Sequence, residues 1–265
     1  MSDPRFIAAM DHSGGSTGGV LERYGQEYTE EDKMDKVHEM RLRMVNSPEF
    51  NSDNIWAAIL YKDTVERGMV PILKQKGIQA YLKIDSGTDE NGTLNDFDLN
   101  EMLNFAVKHG CTGTKMRSIV KSPELLSTVL HQQFKLAEKI HAWELMPIVE
   151  PEIPIDHPNK QGLEIGLDRM LHGSLDALQG KCILKLTLPE QPMLYEGLTQ
   201  HYNAHKVVGL SGGYSTKEAC RRLAQNTGMS ASFSRALSEN LLASQSDEEF
   251  NKTLSSNIRD ITEAS

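Results

Sequence analysis

Short apolar runs alternate with longer amphipathic ones along the chain. Eight runs have the length and composition of strands: Arg5–Asp11, Trp56–Tyr61, Gln79–Asp85, Cys111–Arg117, Leu145–Glu152, Cys182–Leu188, Lys206–Ser211 and Met229–Arg235. Between them apolar residues recur at three- and four-residue steps, the spacing of one helix face. Met34, Val37, Met40 and Met44 show it, as do Leu99, Met102, Leu103 and Ala106. Leu126, Leu130, Phe134 and Ala137 follow Ser122-Pro123, an N-cap with proline at the first helical position. Leu163, Leu167, Met170, Leu171 and Leu178 repeat the pattern, and Ser215 and Glu218 have capping-box spacing before Ala219 and Leu223. Such a succession of strand–helix units in 265 residues predicts an α/β protein, a (β/α)₈ TIM barrel forming a single domain over 1–265. A helical tail from about residue 246 carries Phe250, Leu254, Ile258 and Ile261 on one side. An open doubly wound sheet is the alternative, but no G-x-G-x-x-G follows the first strand.

Two connections exceed a simple unit. Residues 12–54 read as an SGGSTGG turn followed by a charged helix, and residues 86–97 as a polar, glycine-containing loop. Long loops at the carboxyl ends of barrel strands are where this architecture carries function.

Side chains alternate along a strand, so each barrel strand shows one face to the interior and one to the helices. On the sixth strand Cys182, Leu184, Leu186 and Leu188 share the helix-facing parity, which turns Ile183, Lys185 and Thr187 inward. The same reasoning turns Tyr81, Lys83 and Asp85 inward on the third strand, and Gly113, Lys115 and Arg117 on the fourth. Ile148, Glu150 and Glu152 face in on the fifth, and Asp11 ends the first strand on the parity of Ile7 and Ala9. Asp11, Lys83, Lys115, Glu150, Glu152 and Lys185 thus converge at strand carboxyl ends. One such lysine could snorkel to the barrel rim or form a structural ion pair. Six groups of both signs have no packing reason to gather there.

A lysine among cations, with little solvent, is available as a neutral amine that attacks a ketone and forms an iminium. The iminium is an electron sink for breaking the adjacent C–C bond, and a carboxylate pair can move the protons. Lys185 is the expected nucleophile because its strand is the most apolar, with Lys115 as the like charge that keeps it neutral.

Phosphate in barrels often binds between the loops after strands seven and eight. Strand seven ends in Ser211-Gly212-Gly213, whose main-chain N–H groups can approach an anion closely, and strand eight in Ser234-Arg235, with a guanidinium. The SGGST stretch at 13–17 is a second candidate cradle across the mouth. Two such loops imply a substrate phosphorylated at both ends.

Bulk properties narrow the class further. A net charge of -9 argues against nucleic acid or an anionic membrane surface as partner. Three cysteines without metal-type spacing fit a reducing cytoplasm. No run of about 18 apolar residues is present, and an apolar strand by Phe6 leaves no room for a signal peptide.

These residues resemble class I fructose-bisphosphate aldolases, in the short bacterial branch. The matching stretches are FIAAMDHSGGST at 6–17, YLKIDSG at 81–87, GTKMRS at 113–118, PIVEPEI at 147–153, ILKLTLP at 183–189, LSGGYS at 210–215 and SASFSRAL at 230–237. The resemblance implies a carbon–carbon lyase of glycolysis and gluconeogenesis, needing neither metal nor cofactor. It would reversibly cleave fructose 1,6-bisphosphate into dihydroxyacetone phosphate and glyceraldehyde 3-phosphate. By the same resemblance Lys185 forms the Schiff base, Glu150 is the main acid/base, and Asp11 orients a substrate hydroxyl and assists C–C cleavage. Lys115 polarises the site and Glu152 supports the proton network. Ser211, Gly212, Gly213, Ser234 and Arg235 hold one phosphate, with Ser13, Ser16, Lys83 and Arg117 near the other. His12 stands where relatives usually carry glutamine or glutamate, and no terminal tyrosine follows Ser265 to tune product release.

A metal-dependent aldolase needs several strand-end histidines, and only His12 is so placed; His201 and His205 read as a solvated helical face. A transaldolase or other Schiff-base aldolase shares the lysine chemistry, and a catalytically silent barrel would lack the intact acid, base and nucleophile. The partner is a phosphorylated sugar; the sequence leaves homo-oligomerisation open.

Overall fold

The computed structural model describes residues 3–13 and 16–265, the Ser16 side chain excepted. In chain order the elements are β1 (Phe6–Met10), α1 (Ser16–Tyr24), α2 (Lys33–Asn46), β2 (Ile55–Leu60), α3 (Lys62–Glu66), α4 (Met69–Gln75) and β3 (Gln79–Lys83). There follow α5 (Leu99–Lys108), β4 (Gly113–Ile119), α6 (Leu126–His141), β5 (Met146–Glu152), α7 (Lys160–Ala177), β6 (Cys182–Thr187) and α8 (Glu196–Thr199). The chain ends with β7 (Ala204–Leu210), α9 (Thr216–Leu223), β8 (Ser230–Ala231), α10 (Arg235–Ser238) and α11 (Asp247–Ala264). Each strand pairs in parallel with the next, β1 through β8. Ala9 N donates to Phe233 O at 3.2 Å and brings the last strand back to the first. The fold is the (β/α)₈ barrel that the alternation predicts.

Parity divides the core as the strand patterns require. Inside the barrel Ile7, Ala9, Trp56, Ala57, Ile59, Tyr81, Ile148, Ile183 and Val208 pack on one another. Cys182, Leu184, Leu186 and Leu188 belong instead to the layer between strands and helices. Rings fill the base of the barrel, where buried Tyr81 lies 5.7 Å from Trp56, and the exposed His205 ring lies 5.6 Å from Trp56. Gly113 makes room for this plug, since a Cβ there would stand 2.3 Å from Tyr81 Cε1 and 2.2 Å from Met146 O.

Three local expectations need correction. The SGGSTGG stretch is not all turn, because α1 already runs from Ser16 and includes Gly18 and Gly19. Gly18 packs against Tyr28, whose hydroxyl would lie 2.4 Å from a Cβ there and would have to move aside. The last strand is far shorter than Met229–Arg235. Ala231 N donates to Ser265 Oγ, Ser234 takes up helical backbone, and Arg235 begins α10. His205 lies in β7, not on a helix, and His201 pairs with Asp176.

After β3 the chain makes a compact loop. Asp89 Oδ1 accepts from the Asn91 and Thr93 main chains, and Gly92 (φ +82) sits where a Cβ would be 1.9 Å from Ile119 O. The loop is thereby seated on the end of β4. At the other end of the chain, a capping box of Ser246 and Glu249 starts α11, which buries Phe250, Leu254, Ile258 and Ile261.

Candidate active site

The inward charges of β1, β3, β4, β5 and β6 meet at the carboxyl ends of the strands around a cavity of about 420 Å³. Asp11, Lys83, Lys115, Arg117, Glu150, Glu152 and Lys185 line it, with Ser13, Ser211, Gly212, Gly213, Ser234 and Arg235 toward the rim. Five basic side chains face four carboxylates there, once Asp85 is included. The cavity is therefore slightly cationic within a chain of net charge -9. The Ser16 hydroxyl, with Gly14 and Gly15 of the second expected cradle, lies outside the described residues.

Strand register explains who meets whom. Lys83 pairs with Lys115 across β3–β4, and Arg117 with Glu150 across β4–β5. Glu150 and Lys185 each stand two residues beyond the Ile148–Ile183 pair of β5 and β6. Two residues is one pleat, so both side chains point inward at one level.

The result is a chain of charges. Lys115 Nζ lies 2.7 Å from Asp11 Oδ2 and 3.0 Å from Glu150 Oε2. Glu150 Oε1 then lies 3.1 Å from Lys185 Nζ. Glu150 thus holds one lysine on each oxygen, although its Oε2 has no hydrogen bond of acceptable angle. Lys115 is not simply a like charge opposing Lys185, because two carboxylates compensate it first. On the rim Arg117 reaches Glu152 at 3.3 Å, and Lys83 lies 3.4 Å from Asp85 and 3.0 Å from Ser13 Oγ.

Burial and partners set the protonation states. Burial alone would raise the Asp11 carboxyl, but Lys115 and then Lys185 override it and hold it far below the usual range. Burial would lower Lys115, yet Asp11 and Glu150 outweigh it and raise the ammonium's affinity for its proton. Burial raises the Glu152 carboxyl against the pull of Arg117, with Glu150 adding to the rise. His12 is pushed down to about 4 by burial, with Asp11 opposing and Arg41 reinforcing. Its imidazole is neutral near pH 7, with Ser234 Oγ 3.2 Å from Nε2. Asp11 is a fixed anion, Lys115 a fixed cation, and Glu152 a carboxyl disposed to keep its proton longer than usual.

The seventh strand delivers the glycine loop. Gly212 (φ +58) and Gly213 (φ +121) turn the chain after Ser211, and Tyr214 N closes the turn on Ser211 O at 2.9 Å. A Cβ on Gly212 would strike Ile155 at 2.7 Å, so main chain alone fits there. A Cβ on Gly213 would be 3.9 Å from Arg235 Nη1, which places the guanidinium over the loop although it stands on α10.

Two further side chains, Asp85 and Arg41, shape the site. Asp85 shares the parity of Lys83 and lines the cavity, accepting from Arg117 N at 3.2 Å and Gly87 N at 3.1 Å. Arg41 on α2 donates to His12 O at 2.7 Å and to Thr64 Oγ1 at 2.7 Å, fixing the chain just after Asp11. Parity made Asp85 legible, whereas nothing local marks Arg41 as buried. Among the described residues no group of three or more His, Cys, Asp or Glu side chains is disposed to hold a metal ion.

Comparison with known proteins gives consistent relatives. The fructose-bisphosphate aldolase class 1 of Synechocystis sp. is 43% identical over 100% of this chain and 94% of its own length. That of Clostridium acetobutylicum is 42% identical over 99% and 96%. In fold, the chain matches a fructose-bisphosphate aldolase of Plasmodium falciparum with TM-score 0.78 at 22% identity, covering 98% of this chain and 90% of that one. An archaeal fructose 1,6-bisphosphate aldolase matches with TM-score 0.63 at 10% identity, covering 98% and 94%. No family model matches the chain.

Proposed function

Because this chain belongs to the class 1 fructose-bisphosphate aldolases, we propose that it cleaves fructose 1,6-bisphosphate through a Schiff base on Lys185. The observation that carries the assignment is the 3.1 Å contact of Lys185 Nζ with Glu150, at a cavity with a glycine loop on one side and Lys83, Arg117 and Ser13 on the other.

The steps assign themselves to the groups in reach. The unprotonated Lys185 amine adds to the C2 ketone, and Glu150 gives a proton to the hydroxyl that leaves as water. The resulting iminium draws the electrons of the C3–C4 bond as a carboxylate takes the C4 hydroxyl proton. Glyceraldehyde 3-phosphate leaves and an enamine remains on Lys185. Protonation at C3 and hydrolysis then release dihydroxyacetone phosphate and restore the amine. Asp11, kept ionised by Lys115, orients the hydroxyl and assists the cleavage, and Lys115 balances the charge of both carboxylates. Glu152 completes the proton network.

Ser211, Gly212, Gly213 and Arg235, with Ser234, take one phosphate; Ser13, Lys83 and Arg117 take the other, with Ser16 in the same group by family resemblance. The separation of the two cationic sides favours a bisphosphate over a monophosphate. Three free cysteines fit a reducing cytoplasm. Among the described residues no helix is long and apolar enough to cross a membrane.

Borohydride reduction in the presence of dihydroxyacetone phosphate tests the reading. An irreversible adduct should map to Lys185 by peptide mass. An adduct on Lys83 or Lys115 would move the nucleophile, and no adduct at all would remove the imine mechanism.

A further inference from the structure

Strand β5 carries Pro147 and Pro151 although it is paired on both sides within the barrel. A proline nitrogen cannot donate to a ladder, so proline is normally kept to edges and bulges. The alternation of main-chain groups shows which neighbour loses the donors. Glu152 O accepts from Val120 N at 2.8 Å, on the β4 side, while Ile153 turns its N–H and C=O toward β6. Pro147 and Pro151 share the parity of Ile153, so both missing donors face β6. The seams differ accordingly. β4–β5 keeps register over seven pairs and β6–β7 pairs six positions with one shift after Cys182, but β5–β6 pairs only two, Ile148–Ile183 and Val149–Leu184. Glu150 and Lys185 therefore face each other just beyond the point where the ladder between their strands stops.

Side chains fasten that opening. Thr187 Oγ1, buried, donates to Ile153 O at 2.7 Å and accepts from Ile153 N at 3.0 Å. One hydroxyl so satisfies both main-chain groups of a single residue beyond the ladder. From the helix side Gln133, fully buried on α6, donates to Glu150 O at 3.1 Å and accepts from Glu150 N at 3.1 Å.

We propose that Thr187 is a positioning residue, whose hydroxyl sets the spacing of Glu150 and Glu152 against Lys185 across this proline-interrupted seam. Gln133 holds the Glu150 main chain from the opposite side and works with it. The inference rests on the roles of Lys185 and Glu150 proposed above. It deepens them: the strand bearing the acid/base is held to the strand bearing the nucleophile by a side chain that either mutation or design can remove.

Thr187→Val keeps the shape and removes the hydroxyl. Steady-state kinetics should show kcat down by on the order of 10- to 100-fold with KM changed little, as misplacement of reacting groups requires. The initial rate of borohydride-trapped adduct at saturating dihydroxyacetone phosphate should fall with kcat, and Thr187→Ser should restore most of both. Gln133→Met should show the same split more weakly, and it carries the test if the valine variant does not fold. Variants that melt earlier but keep wild-type kcat and trapping rate would overturn the proposal and leave the clamp a structural tie. Failure of the underlying reading looks different, because the wild-type enzyme itself would then give no adduct at Lys185.

Discussion

The Lys160–Glu164 pair of α7 and the Lys185–Glu150 pair of the barrel mouth are both buried, yet they are completed very differently. Lys160 Nζ binds Glu164 Oε1, Leu188 O at 2.9 Å and Glu190 Oε1 at 3.2 Å, so all three hydrogens are taken. Glu164 Oε2 accepts from Glu190 N at 3.0 Å. Nothing in that cluster is left over. Lys185, among the described residues, has Glu150 alone within ion-pair distance, and its remaining capacity faces the cavity. Burial of a charge therefore separates the two pairs poorly. Unspent hydrogen-bonding capacity beside open space separates them well.

The comparison breaks if activity and stability do not dissociate between the two lysines. Lys185→Met should lower kcat by at least about a thousandfold and abolish the borohydride adduct, since the covalent step has no substitute. Its unfolding free energy should change little, because Glu150 keeps Lys115. Glu150→Gln should lower kcat by on the order of 100- to 10,000-fold, the range of a lost general acid/base. Retention of near wild-type kcat there would hand the proton work to Glu152 or Asp11.

Lys160→Met reverses the pattern. It strands a buried carboxylate, and urea unfolding should record a loss of about 3–5 kcal/mol. Turnover per folded molecule should stay within about threefold of wild type. A large drop in kcat would mean that the α7 cluster serves the chemistry after all.

A fourth experiment sharpens the contrast through pH. The Asp11 carboxyl is held below its unfolded value of 3.8, despite burial, by Lys115 and Lys185. Such a group adds stability that is fully present above the unfolded value and lost as pH falls through the folded one. The stability advantage of the wild type over Asp11→Asn, from urea midpoints, should therefore shrink as the solution is acidified below that value. An advantage flat across the acid range would mean that Asp11 is not held by Lys115 in solution. The smallest effect is expected from a chelator, which should leave turnover unchanged.

Much of this site is written in strand parity. Leu184, Leu186 and Leu188 on one side of β6 leave Lys185 nowhere to point but inward, and Ile148 does the same for Glu150 on β5. Other features depend on distant partners and leave no local trace. Lys160 and Glu164 have the i,i+4 spacing of an exposed helical pair, and only the loop carrying Leu188 and Glu190 buries them. Gly18 and Gly19 look like turn residues by propensity, but both lie in α1, where Tyr28 packs against Gly18. The short β8 follows from Ser265 taking the Ala231 donor, a contact spanning 34 residues. Pro147 and Pro151 were visible throughout, yet which seam they open depends on the phase of the neighbouring strands.

The ring plug at the base of the barrel bears on the order of events in turnover. Trp56 and Tyr81, both buried, fill that end of the barrel, opposite the cavity at the strand carboxyl ends. The cavity at the opposite end is where a six-carbon substrate would enter and its two halves would leave. If Lys185 carries the Schiff base as proposed, the untethered aldehyde departs first, and the tethered half waits at the mouth for the water that releases it.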